Sequence, residues 1–370
     1  MVRRLLSLAA LIALAVIAPA APALAHGGGG SDATNFRSEV DRVVEGDGTA
    51  AAASPVELDG VTWRVRALDS YLEVSNRSGA ELLVYGYEGE PYLRIGPDRV
   101  LENRNSPAVY LNNDRFAETP VPPGVAANAE PDWVEVGAEP VYRWHDHRIH
   151  WMAQTEPPQV KTDPRAVHVI QDWTVPFTLG GNELSVQGQL QWVPPPPPWP
   201  WLIGAAIIGI LTMGAAFVTA RGAGRSVRLR RVGAGLVGVL VLLNVVHAID
   251  DVLAVPATLG ENLYALAQSL IFIGMGGFGA VRGWRGGEGG PTALAIGAGA
   301  LFVGVGLTHL GSLTSSQVAS TLPAAFTRAV VASNIAALPP VLLAVAYVLR
   351  KEAPVDAPGD DATTAVSEAT

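Results

Sequence analysis

The segment Leu190-Gln191-Trp192-Val193-Pro194-Pro195-Pro196-Pro197-Pro198-Trp199-Pro200-Trp201-Leu202-Ile203 divides the chain in two. Up to Val193 the apolar residues come in short runs rich in Val, Leu, Tyr and Trp. From Trp201 on they come in runs long enough to cross a bilayer. Between the two, Pro194–Pro198 make a stiff extended linker, and Trp199 and Trp201 suit the aromatic belt at a membrane surface. The first fold ends where the membrane begins.

Upstream, Val61–Arg66, Tyr71–Ser75, Glu81–Tyr85, Pro91–Ile95, Ala108–Leu111, Trp133–Val136, Val141–Trp144, 166–175 and 183–193 read as strands. Turn residues such as Asn76-Arg77-Ser78-Gly79 separate them. Asn35–Val44 reads as a strand or a first helical turn. Some ten strands without helical repeats between them predict an all-β, immunoglobulin-like antiparallel sandwich over 56–193. Asn103–Asn113 and Pro120–Pro131 read as loops.

Downstream, five apolar segments at about 200–220, 232–250, 262–281, 291–311 and 324–349 are each long enough to span. Together they predict an α-helical five-span membrane domain over 200–351. Arg221, Arg225, Arg228, Arg230 and Arg231 lie between the first two, Arg282 and Arg285 between the third and fourth, and Arg350 and Lys351 after the fifth. The positive-inside rule places these in the cytoplasm and the β domain outside. Pro339-Pro340 predicts a kink in the fifth span.

The N-terminus agrees independently. Arg3 and Arg4, an apolar core from Leu5 to Ile17 and Ala23-Leu24-Ala25 read as a signal peptide over 1–25. Residues 26–55 form a flexible lead-in that opens with His26. The 194–199 linker separates the two domains, and 352–370 is an acidic, Ala-rich cytoplasmic tail. The expected localisation is the plasma membrane, multi-pass, with the lipid bilayer as first partner.

Composition removes several function classes. The chain has 370 residues, 49% hydrophobic and 16% charged, with a formal net charge of −9 and no cysteine. Disulfides, thiolate metal sites and cysteine nucleophiles are therefore excluded. No large basic face argues for nucleic acid. There is no Gly-x-Ser-x-Gly elbow, phosphate loop or His-Glu-x-x-His motif, so catalysis is not expected.

The polar chemistry gathers in two places. Trp144-His145-Asp146-His147-Arg148-Ile149-His150-Trp151-Met152 holds three of the seven histidines. Imidazole and thioether are ligands for borderline and soft transition metals, copper above all. In a strand, His145 and His147 face one side while His150 and Met152 take the other parity, so convergence needs a turn near Asp146–Ile149. The alternative is a surface strand flanked by packing tryptophans. After cleavage, His26 would offer an amine and an imidazole to one ion. The second cluster is His247, Asp250 and Asp251 at the end of the second span, with Asn244 one turn earlier, and His309 near the end of the fourth. Spacings of 3, 4 and 7 share a helix face, and ionisable groups at membrane depth are costly and usually functional. The candidate metal ligands are thus His145, His147, His150, Met152, His26, His247, Asp250 and His309.

An exported sandwich whose mature chain begins at His26, a His- and Met-bearing segment in it, and a polytopic region after it resemble the bacterial copper-resistance proteins of the CopC and CopD type. The resemblance implies copper capture by the sandwich, at His26 and loosely at His145, His147, His150 and Met152, with the ion handed to the membrane part. The chain departs from that pattern in lacking a Met-rich loop and in having five spans. The expectation is a membrane-anchored, extracytoplasmic copper-binding or copper-transfer protein. The other reading is a non-metal envelope protein whose sandwich binds a protein partner and whose spans act as anchor or scaffold.

Overall fold

A computed structural model describes residues 33–46, 55–153, 155–222, 224–255 and 259–352. The signal-peptide segment, His26 and nearly all of the acidic tail lie outside the described residues.

Among the described residues, ten strands form two antiparallel sheets. β1 is Phe36–Glu45, β2 Val61–Arg66, β3 Tyr71–Asn76, β4 Leu82–Tyr85, β5 Pro91–Ile95, β6 Val100–Asn103, β7 Trp133–Gly137, β8 Val141–Trp144, β9 His168–Leu179 and β10 Asn182–Trp192. The larger sheet runs β1-β10-β9-β4-β5-β6-β7 and the smaller β2-β3-β8. Both bury alternate side chains in one core: Trp63, Leu72, Val74 and Trp144 from the small sheet meet Leu82, Val84, Leu93, Val175, Phe177 and Val186 from the large one. That period of two is what a sheet with one covered face requires. Gly180 and Gly181, at φ +57° and +87°, close the β9–β10 hairpin, because a two-residue hairpin turn needs positive φ at its centre.

One local expectation is corrected. Residues 108–111, which read as a strand, are part of helix α1 (Pro107–Leu111). Ser106 caps it by accepting from the Ala108 amide, and Pro107 opens it, the position where a missing N–H costs nothing. The strand lies just upstream instead, at β6. Within the lead-in, the strand alternative for Asn35–Val44 is the one observed: β1 is held along its length by β10.

After α2 (Pro158–Thr162), the chain continues into α3 (Trp199–Thr219), α4 (Gly224–Ala254), α5 (Leu259–Arg285), α6 (Gly290–Leu301), a π-helical turn (Phe302–Leu307), α7 (Gly311–Thr314) and α8 (Ala324–Glu352). Among the described residues, five segments are long and apolar enough to cross a membrane, the fourth being α6 plus the π turn. α3 has 21 residues, which at about 1.5 Å each matches a hydrocarbon core about 30 Å thick. The bundle is apolar outside as well as inside: Ile207, Ile208, Leu211, Leu242, Phe278 and Leu343 are exposed, a surface that needs lipid. α5 and α6 pack backbone to backbone, since a Cβ at Gly279 would lie 2.6 Å from the Ala293 carbonyl oxygen. α8 continues as one helix through Pro339 and Pro340.

The sheets are fastened to one end of this bundle. Thr34 and Gln317 exchange backbone hydrogen bonds of 3.1 and 2.8 Å, and the Ser316 amide donates to Asn35 Oδ1 at 2.8 Å. β1 therefore runs straight from the large sheet to the loop between α7 and α8. The ends of α4 and α6 and the start of α8 lie at this sheet-proximal end; the arginine-rich connections lie at the other.

Candidate metal centre

The 144–152 stretch does turn. β8 stops at Trp144, and the Ile149 amide donates to the Asp146 carbonyl at 3.1 Å. Asp146 is the anchor. Its buried carboxylate accepts from Trp144 Nε1 at 2.8 Å, from the Arg148 amide at 3.0 Å and from Arg148 Nε and Nη2 at 2.8 and 2.7 Å. Burial alone would raise its pKa, but the Arg148 charge and these hydrogen bonds outweigh it and hold the carboxyl below its usual range.

The turn brings the His147 and His150 rings to 5.3 Å. Each imidazole of the stretch nevertheless faces a backbone carbonyl. His145 Nδ1 lies 2.7 Å from the Ser70 oxygen, His147 Nε2 3.0 Å from that of Asp114, and His150 Nδ1 3.4 Å from that of Trp151. A carbonyl only accepts, so these nitrogens are the N–H donors. His145 also stacks on Tyr71, ring centres 4.1 Å apart. Burial depresses the pKa of His145, and burial together with the Arg115 charge pushes His150 down to about 3, so both stay neutral. Met152 is half-buried at the end of the turn. His168, outside the stretch, donates from Nε2 to the Asp163 carbonyl at 2.7 Å.

The second cluster is different. Among the described residues, one group of three His, Asp or Glu side chains brings its ligating atoms within 4.8 Å of one another: His247, Asp251 and His309. His247 and Asp251 are four residues apart on α4, one above the other on the same face, with His247 Nδ1 3.5 Å from Asp251 Oδ1. His309 Nε2 lies 4.0 Å from Asp251 Oδ2, and the two imidazole centres are 4.7 Å apart. Ligands around a tetrahedral ion with bonds of about 2.0 Å are roughly 3.3 Å apart. The first separation is already close to that and the second needs only a small closure.

His247 is 2% exposed, and neither ring nitrogen has a hydrogen-bond partner. Buried polar groups are paired in nearly all proteins, so an orphan calls for an explanation. An imidazole held ready for an ion or an ordered water supplies one. His309 lies two residues past the π turn at Phe302–Leu307. Such turns insert residues into a helix and are frequent at functional sites. Beyond this turn, His309 faces Asp251 of α4.

Asp250, expected among the ligands, stands outside this group. It accepts from the amides of Thr321 at 2.8 Å and Leu322 at 3.2 Å, and from the hydroxyls of Ser320 and Thr321. Adjacent residues on a helix diverge by about 100°. Asp251 points to His309 and Asp250 to the loop before α8, which it clamps. Arg328, at the start of α8, donates to the Ser312, Ser315 and Ser316 carbonyls. Asn244, one turn below His247, exchanges two side-chain hydrogen bonds of 3.0 Å with Asn334 of α8.

A cleft of about 750 Å³ lies between the sheets and the bundle, with Asp69, Arg115, His145 and Glu261 among its walls. None of the three clustered residues lines it. No protein-family model, curated protein or solved structure matches this chain.

Proposed function

We propose that this protein is a membrane-anchored metal-handling protein, and that His247, Asp251 and His309 hold one divalent transition-metal ion at the sheet-proximal end of the bundle. The observation that carries this reading is the approach of their ligating atoms to within 4.8 Å around an imidazole with no other partner. Two neutral imidazoles and one carboxylate suit copper(II) and zinc(II). For a given nitrogen and oxygen site the affinity order favours copper(II). No sulfur donor belongs to the group, which speaks against copper(I) as its first cargo. Three protein ligands leave a position open, the pattern of sites that exchange or act on a bound group rather than of closed structural ones.

We read the two sheets as an immunoglobulin-like sandwich standing outside the membrane, with the chain ending in the cytoplasm. The arginine distribution and the signal-like first 25 residues support this. A chain without cysteine allows a clean test of topology. A single cysteine at Ser78 should react with an impermeant maleimide on whole cells and one at Ser226 should not.

The binding test uses the full chain in detergent, purified without a histidine tag and titrated with copper(II) and with zinc(II). One ion per chain is expected, lost in His247→Ala and in His309→Ala. Binding no tighter than about micromolar, or affinity unmoved by both substitutions, would overturn the reading. A protein that co-purifies stably, survives chelator and is indifferent to both substitutions would favour the envelope-scaffold reading instead.

A further inference from the structure

Three ligands do not complete a metal's coordination, and the surroundings of the cluster hold polar atoms that nothing else uses. The Asn244–Asn334 pair sets the register of α4 against antiparallel α8. From that pair α4 rises seven residues to Asp251, and α8 rises seven to Thr327. Both distances are about 10 Å, two turns on the same face. Thr327 therefore lies on the side of α8 turned to α4, at about the height of Asp251. On the third side Ser312 follows His309 by three residues, its amide donating to the His309 carbonyl at 3.0 Å.

Thr327 is 2% exposed and Ser312 3%, yet neither hydroxyl has a hydrogen-bond partner. Hydroxyls in apolar helices ordinarily bond back to a carbonyl three or four residues earlier. In this chain Thr219, Thr308 and Thr314 do so, to Ala215, Gly304 and Gly311. Thr327 and Ser312 thus differ from these three in being buried with an unpartnered hydroxyl, as His247 is buried with both ring nitrogens unpartnered. Beneath the asparagine pair the bundle turns dry: Val237, Leu240, Val341 and Val345 are buried against one another.

We propose that Ser312 and Thr327 are positioning residues that hold the water, or the ligand exchanged for it, in the remaining coordination positions of the ion at His247, Asp251 and His309. The Asn244–Asn334 pair is the floor of this hydrated site, so the cation enters and leaves at the sheet-proximal end. The inference rests on the metal reading above, and its test separates the two.

Copper(II) affinity and the X-ray absorption coordination number are measured on the full chain in detergent, for the native protein and for Ser312→Ala/Thr327→Val. The expected result is a fall in affinity of about 10-fold, the lower end for removal of outer-shell partners, with one oxygen fewer in the first shell. Thr327→Ser in the native background retains a hydroxyl and should keep both values. Unchanged affinity and coordination in the double variant, while His247→Ala loses the metal, would overturn the vestibule and leave the metal centre standing. If the native chain binds no metal, both fail. An equal loss in Thr327→Ser and Thr327→Val would show packing, not the hydroxyl, to matter, and would also overturn it.

Discussion

Two groups of histidines, one in the sheets and one in the bundle, look alike in the sequence and differ in the fold. His145, His147 and His150 crowd into six residues, but a backbone carbonyl faces a nitrogen of each, and Asp146, between the first two, is consumed by Arg148. His247 and His309 are 62 positions apart, yet their rings approach to 4.7 Å beside a shared carboxylate, and His247 has no hydrogen bond. Closeness in the chain is thus a poor guide to shared chemistry. What separates the two groups is convergence: among the described residues, only His247, Asp251 and His309 bring three ligating atoms within 4.8 Å of one another.

If that contrast is right, the largest effect comes from the structural side. Arg148→Ala leaves Asp146 buried and unpaired and should destabilise the β domain by about 3–5 kcal/mol. Tryptophan-monitored denaturation would show it, and copper(II) affinity of the remaining folded protein should stay within about twofold, since distant sites add independently. A metal affinity that collapses in step would break the comparison. Next in size, His247→Ala should weaken copper(II) binding by about 100-fold or more, because a ligand itself is removed rather than an outer-shell partner. The pair His145→Ala with His147→Ala should leave it nearly unchanged. A strong loss in the latter alone would move the site to the sheets.

The two adjacent carboxylates sharpen the comparison within one helix. Asp250→Asn should lower stability by about 1–3 kcal/mol, the cost of disturbing a buried multi-bonded acceptor, with the metal retained. Asp251→Asn should do the reverse, weakening metal binding with little change in melting temperature. Equal behaviour of the two would remove the assignment.

The smallest effect at neutral pH is a proton-linked one. In the fold, burial first and the Arg115 charge second hold His150 near 3, against an ordinary value of 6.5. Below about 6.5 the unfolded chain takes up this proton and the folded chain does not, so stability falls as pH drops from there towards 3. His150→Phe should flatten that part of the stability–pH curve and leave the curve above pH 7 unchanged. A slope that persists in the variant would assign it to another group.

How much of this was legible beforehand follows physical lines. The five spans could be read because lipid imposes one rule, some twenty apolar residues per crossing, on every helix. Most strands could be read because one buried face imposes alternation. Residues 108–111 misled because Val and Tyr favour strands, while the deciding Ser106-Pro107 start signal is short. His247 and Asp251 could be paired by their spacing of four, but Asp250 fits a shared face nearly as well, and only the loop at 320–322 chose between them. The π turn before His309 leaves no sequence pattern. The unpartnered hydroxyls of Ser312 and Thr327 look in the sequence like any helical Ser or Thr.

By itself, the sequence determined the division at the proline run, the number of spans and the residue types available to hold an ion, because these depend on local periodicity and on the solvent each segment must face. Which imidazoles face a backbone carbonyl and which meet a second imidazole and a carboxylate was decided only by tertiary structure. A nitrogen's partner lies 75 residues away for His145, and His247 meets His309 across helices. Such pairings follow from how the whole chain packs.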